Sequence, residues 1–300
     1  MSTCLVTGGA GFIGSHLTDK LIELDHEVKV VDKLTLGKKK FINDEAEFYQ
    51  VDLRNFSELK PLFEGADVVF HLAAEPRMQI TIEKPVSSHN VNVTGTLNVL
   101  EAAKESGVDK VVFSSSCAIY GEQELPITED SDPDPESPYG LHKLMGEQYC
   151  RLYSKLHDLP TINLRYFNVF GPRKLAEGGY PMVIPIFLDQ KQKDEPLTIV
   201  GDGKQTRDYV HVSDVVKANI KAWQSEITNG KAFNIGSGIQ VSVNEIADIV
   251  GGETTHIPER PGEMRFIEAD ISKATEKLDW EPQVEFEAGL NDLMEHWGVE

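Results

Sequence analysis

Positive charge is what this chain has least of. Against 49 Asp and Glu it carries 29 Lys and Arg, for a formal net charge of -20 over 300 residues. That balance disfavours nucleic acid as a partner, because a phosphate backbone needs a basic footprint. A phosphorylated small molecule is not excluded, since a few local Arg, Lys or helix N-termini suffice for it. Cysteine is scarce as well. Cys4, Cys117 and Cys150 form an odd set without CxxC spacing. No disulfide framework and no metal site is therefore expected, and a reducing compartment is. Also missing are an apolar run long enough to span a bilayer and a basic-then-apolar leader before Thr3. The expectation is a soluble, cytoplasmic protein without membrane or nucleic-acid partners.

What the chain does have is enough apolar residue, 40 % of the total, for a sizeable core. Through the first half, short apolar runs alternate with helical patterns. TCLVT, EVKVVD, EFYQVD, DVVFHLAA, KVVFSSS and TINLRYFNV read as parallel strands covered on both faces. Phe12 to Leu24, Phe56 to Phe63, Ser88 to Ser106 and Ser137 to His157 read as helices. The alternation predicts an α/β fold with a doubly wound (Rossmann) parallel sheet, whose ligands bind at the carboxyl ends of the strands. After Asn168 the pattern loosens. We expect a dinucleotide-binding domain over 1–167 and a smaller C-terminal α/β substrate lobe over 168–300, with some segments returning to the large sheet. Ser242 and Glu245 have the spacing of a capping box that opens a helix.

The first strand runs into TGGAGFIGSH. Gly8, Gly11 and Gly14 fit G-x-x-G-x-x-G, while Gly9, Gly11 and Gly14 fit G-x-G-x-x-G. Either pattern lets backbone approach a pyrophosphate, with the next helix pointing its N-terminus at it. Asp32 closes the second strand. Its carboxylate can accept from ribose hydroxyls and would repel a 2′-phosphate, which favours NAD over NADP. Lys33 and Lys38 to Lys40 follow and read as a solvated loop.

Tyr139 and Lys143 are spaced i, i+4 in SPYGLHK, on one face of a predicted helix. An ammonium beside a phenol favours the phenolate, so a lowered phenol pKa is expected and Tyr139 becomes a candidate base. Ser114, Ser115 and Ser116 end the fifth strand, at the ligand edge.

TGGAGFIGSH, HLAA, NVTGTLNVLEAA, SSSCAIYG, SPYGLHK, LRYFNVFGPR, RDYVHVSDV and FNIGSG occur in order over nearly the whole chain. In these motifs the sequence resembles the extended short-chain dehydrogenase/reductases. It is most similar to the NAD-dependent sugar-nucleotide epimerases and dehydratases, the UDP-glucose 4-epimerases above all. The resemblance implies Tyr139 as base, Lys143 as its partner and nicotinamide-ribose contact, and Ser116 as the third catalytic residue. It implies NAD contacts from Gly8, Gly11, Phe12, Ile13, Gly14, Asp32, Lys33, Asp52, Leu53, Leu72, Ala73, Ala74, Asn92, Ser114 and Phe167, with Asp52 near the adenine. For a UDP-sugar it implies Asn168, the diphosphate clamps Arg207 and Arg260, Glu263 at the ribose, and Ile267 near the sugar. It also implies a homodimer through a four-helix bundle, consistent with apolar Leu141, Leu144, Met145, Leu152 and Leu156 on more than one helix face.

The implied reaction is epimerisation at C4 through a transient 4-keto sugar, with UDP-glucose and UDP-galactose as the main pair. Related dehydratases and decarboxylases share the first oxidation. Dehydratases commonly carry a carboxylate just after the catalytic Ser/Thr, where this chain has Cys117 and Ala118. An NADP-dependent reductase and a non-catalytic dinucleotide sensor are further readings; Asp32 counts against the first and the Ser116, Tyr139, Lys143 set against the second. The sugar is left open among hexoses, N-acetylhexosamines and uronic acids. Arg77, after Pro76 where a lysine is common, either reaches a substrate anion or is solvated.

Overall fold

The computed structural model describes residues 1–174, 182–258 and 265–299. Its strands are β1 (Thr3–Thr7), β2 (Glu27–Val31), β3 (Glu47–Tyr49), β4 (Val68–His71), β5 (Lys110–Ser116), β6 (Thr161–Tyr166), β7 (Asn168–Phe170), β8 (Leu197–Val200), β9 (Thr206–His211), β10 (Asn229–Ile235), β11 (Gln240–Ser242) and β12 (Thr254–Ile257). Its helices are α1 (Phe12–Glu23), α2 (Phe56–Leu59), α3 (Met78–Glu83), α4 (Pro85–His89), α5 (Gly95–Ser106), α6 (Pro138–His157), α7 (Val183–Gln192), α8 (Val212–Gln224), α9 (Val243–Val250), α10 (Ser272–Leu278) and α11 (Phe286–Trp297).

Seven parallel strands form one sheet in the order β10-β6-β5-β4-β1-β2-β3. Side chains alternate between its faces with the period of two that a strand imposes. In β1, Cys4 and Val6 join the core beneath α1 and α8, while Leu5 joins the core beneath α5 and α6. Both faces are covered, which is why the central strands β1 and β4 are mostly apolar. The order steps outward from β1 in both directions, so the reversal falls beside β1, where a doubly wound sheet binds its ligand. The smaller lobe builds its own core from Phe187, Leu197, Tyr209, Ile246 and Leu290. α8, β10 and α10 come from beyond residue 168 and pack on the large sheet.

Two expected elements differ in detail. TINLRYFNV is two strands, because the chain leaves the large sheet at Phe167 and β7 pairs with β9 instead. The helix expected over Ser88 to Ser106 starts earlier and is interrupted by a π-helical turn, Asn90–Thr94, between α4 and α5. The α6 start is as the sequence implies. The Ser137 side chain accepts from the Gly140 amide at 3.1 Å, and Pro138 occupies the first turn, where its missing N–H costs nothing. The Ser242–Glu245 capping box is present at α9. Among the described residues no helix is long and apolar enough to cross a membrane.

Candidate active site

A cavity of about 1260 Å³ opens at the carboxyl edge of the large sheet and extends to the smaller lobe. The glycine turn between β1 and α1 forms one end. Gly8 has φ +74°, and its amide donates to the Val31 carbonyl at 2.8 Å. A Cβ on Gly8 would lie 2.8 Å from the Ala73 nitrogen, and one on Gly14 would lie 2.3 Å from the Gly8 oxygen. Gly9 packs instead against Val30, where a Cβ would come within 2.7 Å. The G-x-x-G-x-x-G register is thus the one that faces the cavity. Gly8, Gly11, Phe12, Ile13 and Gly14 line it. No side chain caps the start of α1 and its first turn carries no acid, so its leading amides suit a pyrophosphate.

Asp32, Lys33, Asp52, Leu53, Leu72, Ala73 and Ala74 continue the same wall. The Asp32 carboxylate accepts from the Leu34 amide at 2.7 Å and the Ala10 amide at 3.2 Å. Burial raises its pKa even so, and hydrogen bonds from ribose hydroxyls would offset that cost. Behind this wall, buried His71 bridges Thr7 at 2.7 Å and Thr96 at 2.9 Å. Burial lowers its pKa to about 3, so the ring is neutral and joins β4 to β1 and α5.

Asn92 was expected among the NAD contacts. It does not line the cavity. The π-helical turn aims its side chain at the main chain of Glu75, accepting from the amide at 2.6 Å and donating to the carbonyl at 3.0 Å. Asn92 therefore holds the cavity wall from behind. Arg77 is on that wall, not solvated. It pairs with Glu75 through two bonds, 2.7 and 2.5 Å.

β5 delivers Ser114 and Ser116 to the centre of the cavity, and the first two turns of α6 deliver Tyr139 and Lys143. The Lys143 ammonium donates to the Ser114 carbonyl at 2.6 Å and sits 5.8 Å from the Tyr139 ring centroid. Burial lowers the Lys143 pKa to about 8. The expected lowering of the Tyr139 phenol is not found. Burial pushes it up, with the Ser116 hydroxyl acting the other way. The helical spacing brings the two side chains to one cavity, but burial sets the direction of the phenol shift.

Phe167 and Asn168 line the cavity where the chain crosses from β6 to β7, beside Arg207 and Ile267. The Asn168 side chain donates to the Asp208 carbonyl at 3.1 Å. Asp208 itself turns inward, accepting from Ser237, Gly238 and Ala269. The Arg207 guanidinium instead donates to the Thr206 carbonyl at 2.8 Å. Arg260 and Glu263 lie outside the described residues.

The sequence reading missed a buried network under the catalytic group. Arg165 on β6 grips Glu147 on α6 with bonds of 2.9 and 2.8 Å. Ser115 donates to the same carboxylate, and Arg165 also donates to the Tyr120 hydroxyl at 2.7 Å. The available signal was that Glu147 falls four residues after Lys143, on the same helix face.

A glycine turn with an acid at the end of the second strand, in one cavity with Ser116, Tyr139 and Lys143, is the arrangement of a dinucleotide-dependent enzyme built on a Rossmann sheet. The chain belongs to the NAD dependent epimerase/dehydratase family, which it matches over residues 4–236, and its cofactor is NAD. It is 44 % identical to a putative UDP-glucose 4-epimerase of Methanocaldococcus jannaschii, over 97 % of this chain and 96 % of that one. It is 35 % identical to a UDP-N-acetyl-alpha-D-glucosaminuronate decarboxylase of Bacillus cytotoxicus, with coverages of 97 % and 96 %. Among solved structures it resembles the UDP-glucose 4-epimerase of Thermotoga maritima with UDP-glucose, at TM-score 0.94 and 38 % identity, covering 99 % and 98 % of the two chains.

Proposed function

We propose that this protein interconverts UDP-glucose and UDP-galactose by transient oxidation at C4. One observation carries the reading: Ser116, Tyr139 and Lys143 meet in the same cavity as the glycine turn at one end and Arg207 and Ile267 at the other. Tyr139 takes the proton of the C4 hydroxyl and returns it after the 4-keto sugar has turned over. Ser116 orients that hydroxyl, and the Lys143 ammonium supports the phenolate. Arg207 holds the diphosphate, which leaves the sugar free to swing. NAD, when bound, supplies a reversible hydride acceptor whose cationic ring opposes the burial that raises the phenol.

The identity to a decarboxylase favours a lyase as the second reading. Against its dehydratase form, burial pushes the Cys117 thiol up to about 12, which makes it a poor proton shuttle next to Ser116. Incubation with UDP-glucose, followed by proton NMR, tests the choice. Formation of UDP-galactose supports the epimerase; a dehydrated nucleotide, NADH that persists, or carbon dioxide released from UDP-glucuronate in a parallel incubation overturns it. UDP-N-acetylhexosamines and UDP-glucuronate are the alternative substrates of the same chemistry.

The reading includes a cytoplasmic homodimer. Leu141, Leu152 and Leu156 on α6 are 46 %, 44 % and 60 % exposed, an apolar stripe that a second copy would cover. Light scattering tests it, and a 33.4 kDa monomer at micromolar concentration would contradict it.

A further inference from the structure

β2 and β3 pair in register through Val31 and Tyr49, so the residues that follow them emerge side by side at the cavity rim. Four charged side chains gather there: Asp32, Lys33, Asp52 and Arg54. Asp32 is engaged by backbone amides. The other three form one cluster. The Lys33 ammonium lies 2.8 Å from Asp52 Oδ2. The Arg54 guanidinium grips the same carboxylate, with Nη2 at 2.6 Å from Oδ2 and Nε at 3.0 Å from Oδ1. The Arg54 amide adds a third bond at 3.0 Å. Lys38 lines this end too and is exposed, as Lys33 and Arg54 are.

Both cations closest in sequence to the adenosine end of the cavity are therefore spent on one carboxylate. A guanidinium binds phosphate best with two parallel N–H groups, and here that edge is taken. The four charges sum to zero, so a ribose 2′-phosphate would meet the repelling Asp32 without a free guanidinium edge to offset it. We propose that Asp52 is a second determinant of the preference for NAD over NADP, acting by withholding Lys33 and Arg54 from a 2′-phosphate. Arg54 and Lys33 in turn hold the Asp52 carboxyl well below the usual range, so the clamp stays ionised at neutral pH.

The test is calorimetric titration of the protein, freed of any dinucleotide that purifies with it, with 5′-AMP and adenosine 2′,5′-bisphosphate. These probes differ only in the 2′-phosphate, so their affinity ratio cancels any contact to the adenine. Asp52→Asn should shift the ratio toward the bisphosphate by roughly fivefold or more, the worth of a freed charge pair near a surface. Adding Lys33→Gln and Arg54→Gln should return the ratio to that of the parent. Asp52→Ser removes the same charge with a smaller side chain, should shift the ratio in the same direction, and keeps the test available should Asp52→Asn not fold. An unchanged ratio in whichever of the two folds, or a gain that survives loss of both cations, would overturn the proposal.

Discussion

Lys143 donates to the Ser114 carbonyl at 2.6 Å, and in doing so links the catalytic helix α6 to the end of β5. The ammonium is buried and its pKa is lowered to about 8. Its charged form is the useful one, because only the cation supports a phenolate at Tyr139. As pH rises through about 8 the ammonium loses its proton and that support disappears. Turnover measured from pH 6 to pH 10 should fall on an alkaline limb near pH 8, well below the free lysine value of about 10.4. Lys143→Arg keeps the charge at all these values, and any residual activity it has should lack this limb.

Tyr139→Phe removes the ionisable oxygen and keeps the ring. Turnover should drop by about 10²-fold or more, in line with the loss of a general base. NAD affinity should hold, since the glycine turn and Asp32 are untouched. Near-parental turnover in this variant would remove Tyr139 from the mechanism.

The Glu147–Arg165 pair has side chains only 5 % and 8 % exposed. Glu147→Gln leaves a buried guanidinium without its counter-charge, which should cost about 3–5 kcal/mol in urea unfolding. Glu147→Gln with Arg165→Met removes both charges and should recover much of that loss. Equal destabilisation in the single and double variants would show that the charge pairing is not what matters.

Ile267 is 4 % exposed and packs with Phe167, Ile127 and Ala269 while lining the cavity. A tight fit there should cost an acetamido group roughly 1–3 kcal/mol, about a 10- to 200-fold preference for UDP-glucose over its N-acetyl form. Ile267→Ala should narrow that preference and Ile267→Tyr should widen it, as read from kcat/KM on both substrates. Equal rates unmoved by either change would mean that another residue gates the sugar.

The large sheet was legible because strands covered on both faces must be apolar throughout, and β1, β4 and β5 have no other reading. The Tyr139–Lys143 pair was legible for a similar reason: helical spacing fixes which side chains share a face. Burial is a property of the assembled cavity, so spacing alone gave the wrong direction for the Tyr139 phenol. Nothing in NVTGT separates the π-helical turn that aims Asn92 at the Glu75 main chain from an α-helix. β11 and β12 are short, and their partners β9 and β8 lie far away in the chain, so no local pattern marks them.

The central claim is that C4 is oxidised and then reduced with the same hydrogen. UDP-glucose carrying deuterium at C4 tests it directly, with the product analysed by NMR and mass spectrometry. The account predicts UDP-galactose that keeps the deuterium at C4, because the hydride would stay on the bound dinucleotide between its two transfers. Product epimerised with loss of that deuterium to solvent, or a dehydrated product, would contradict it.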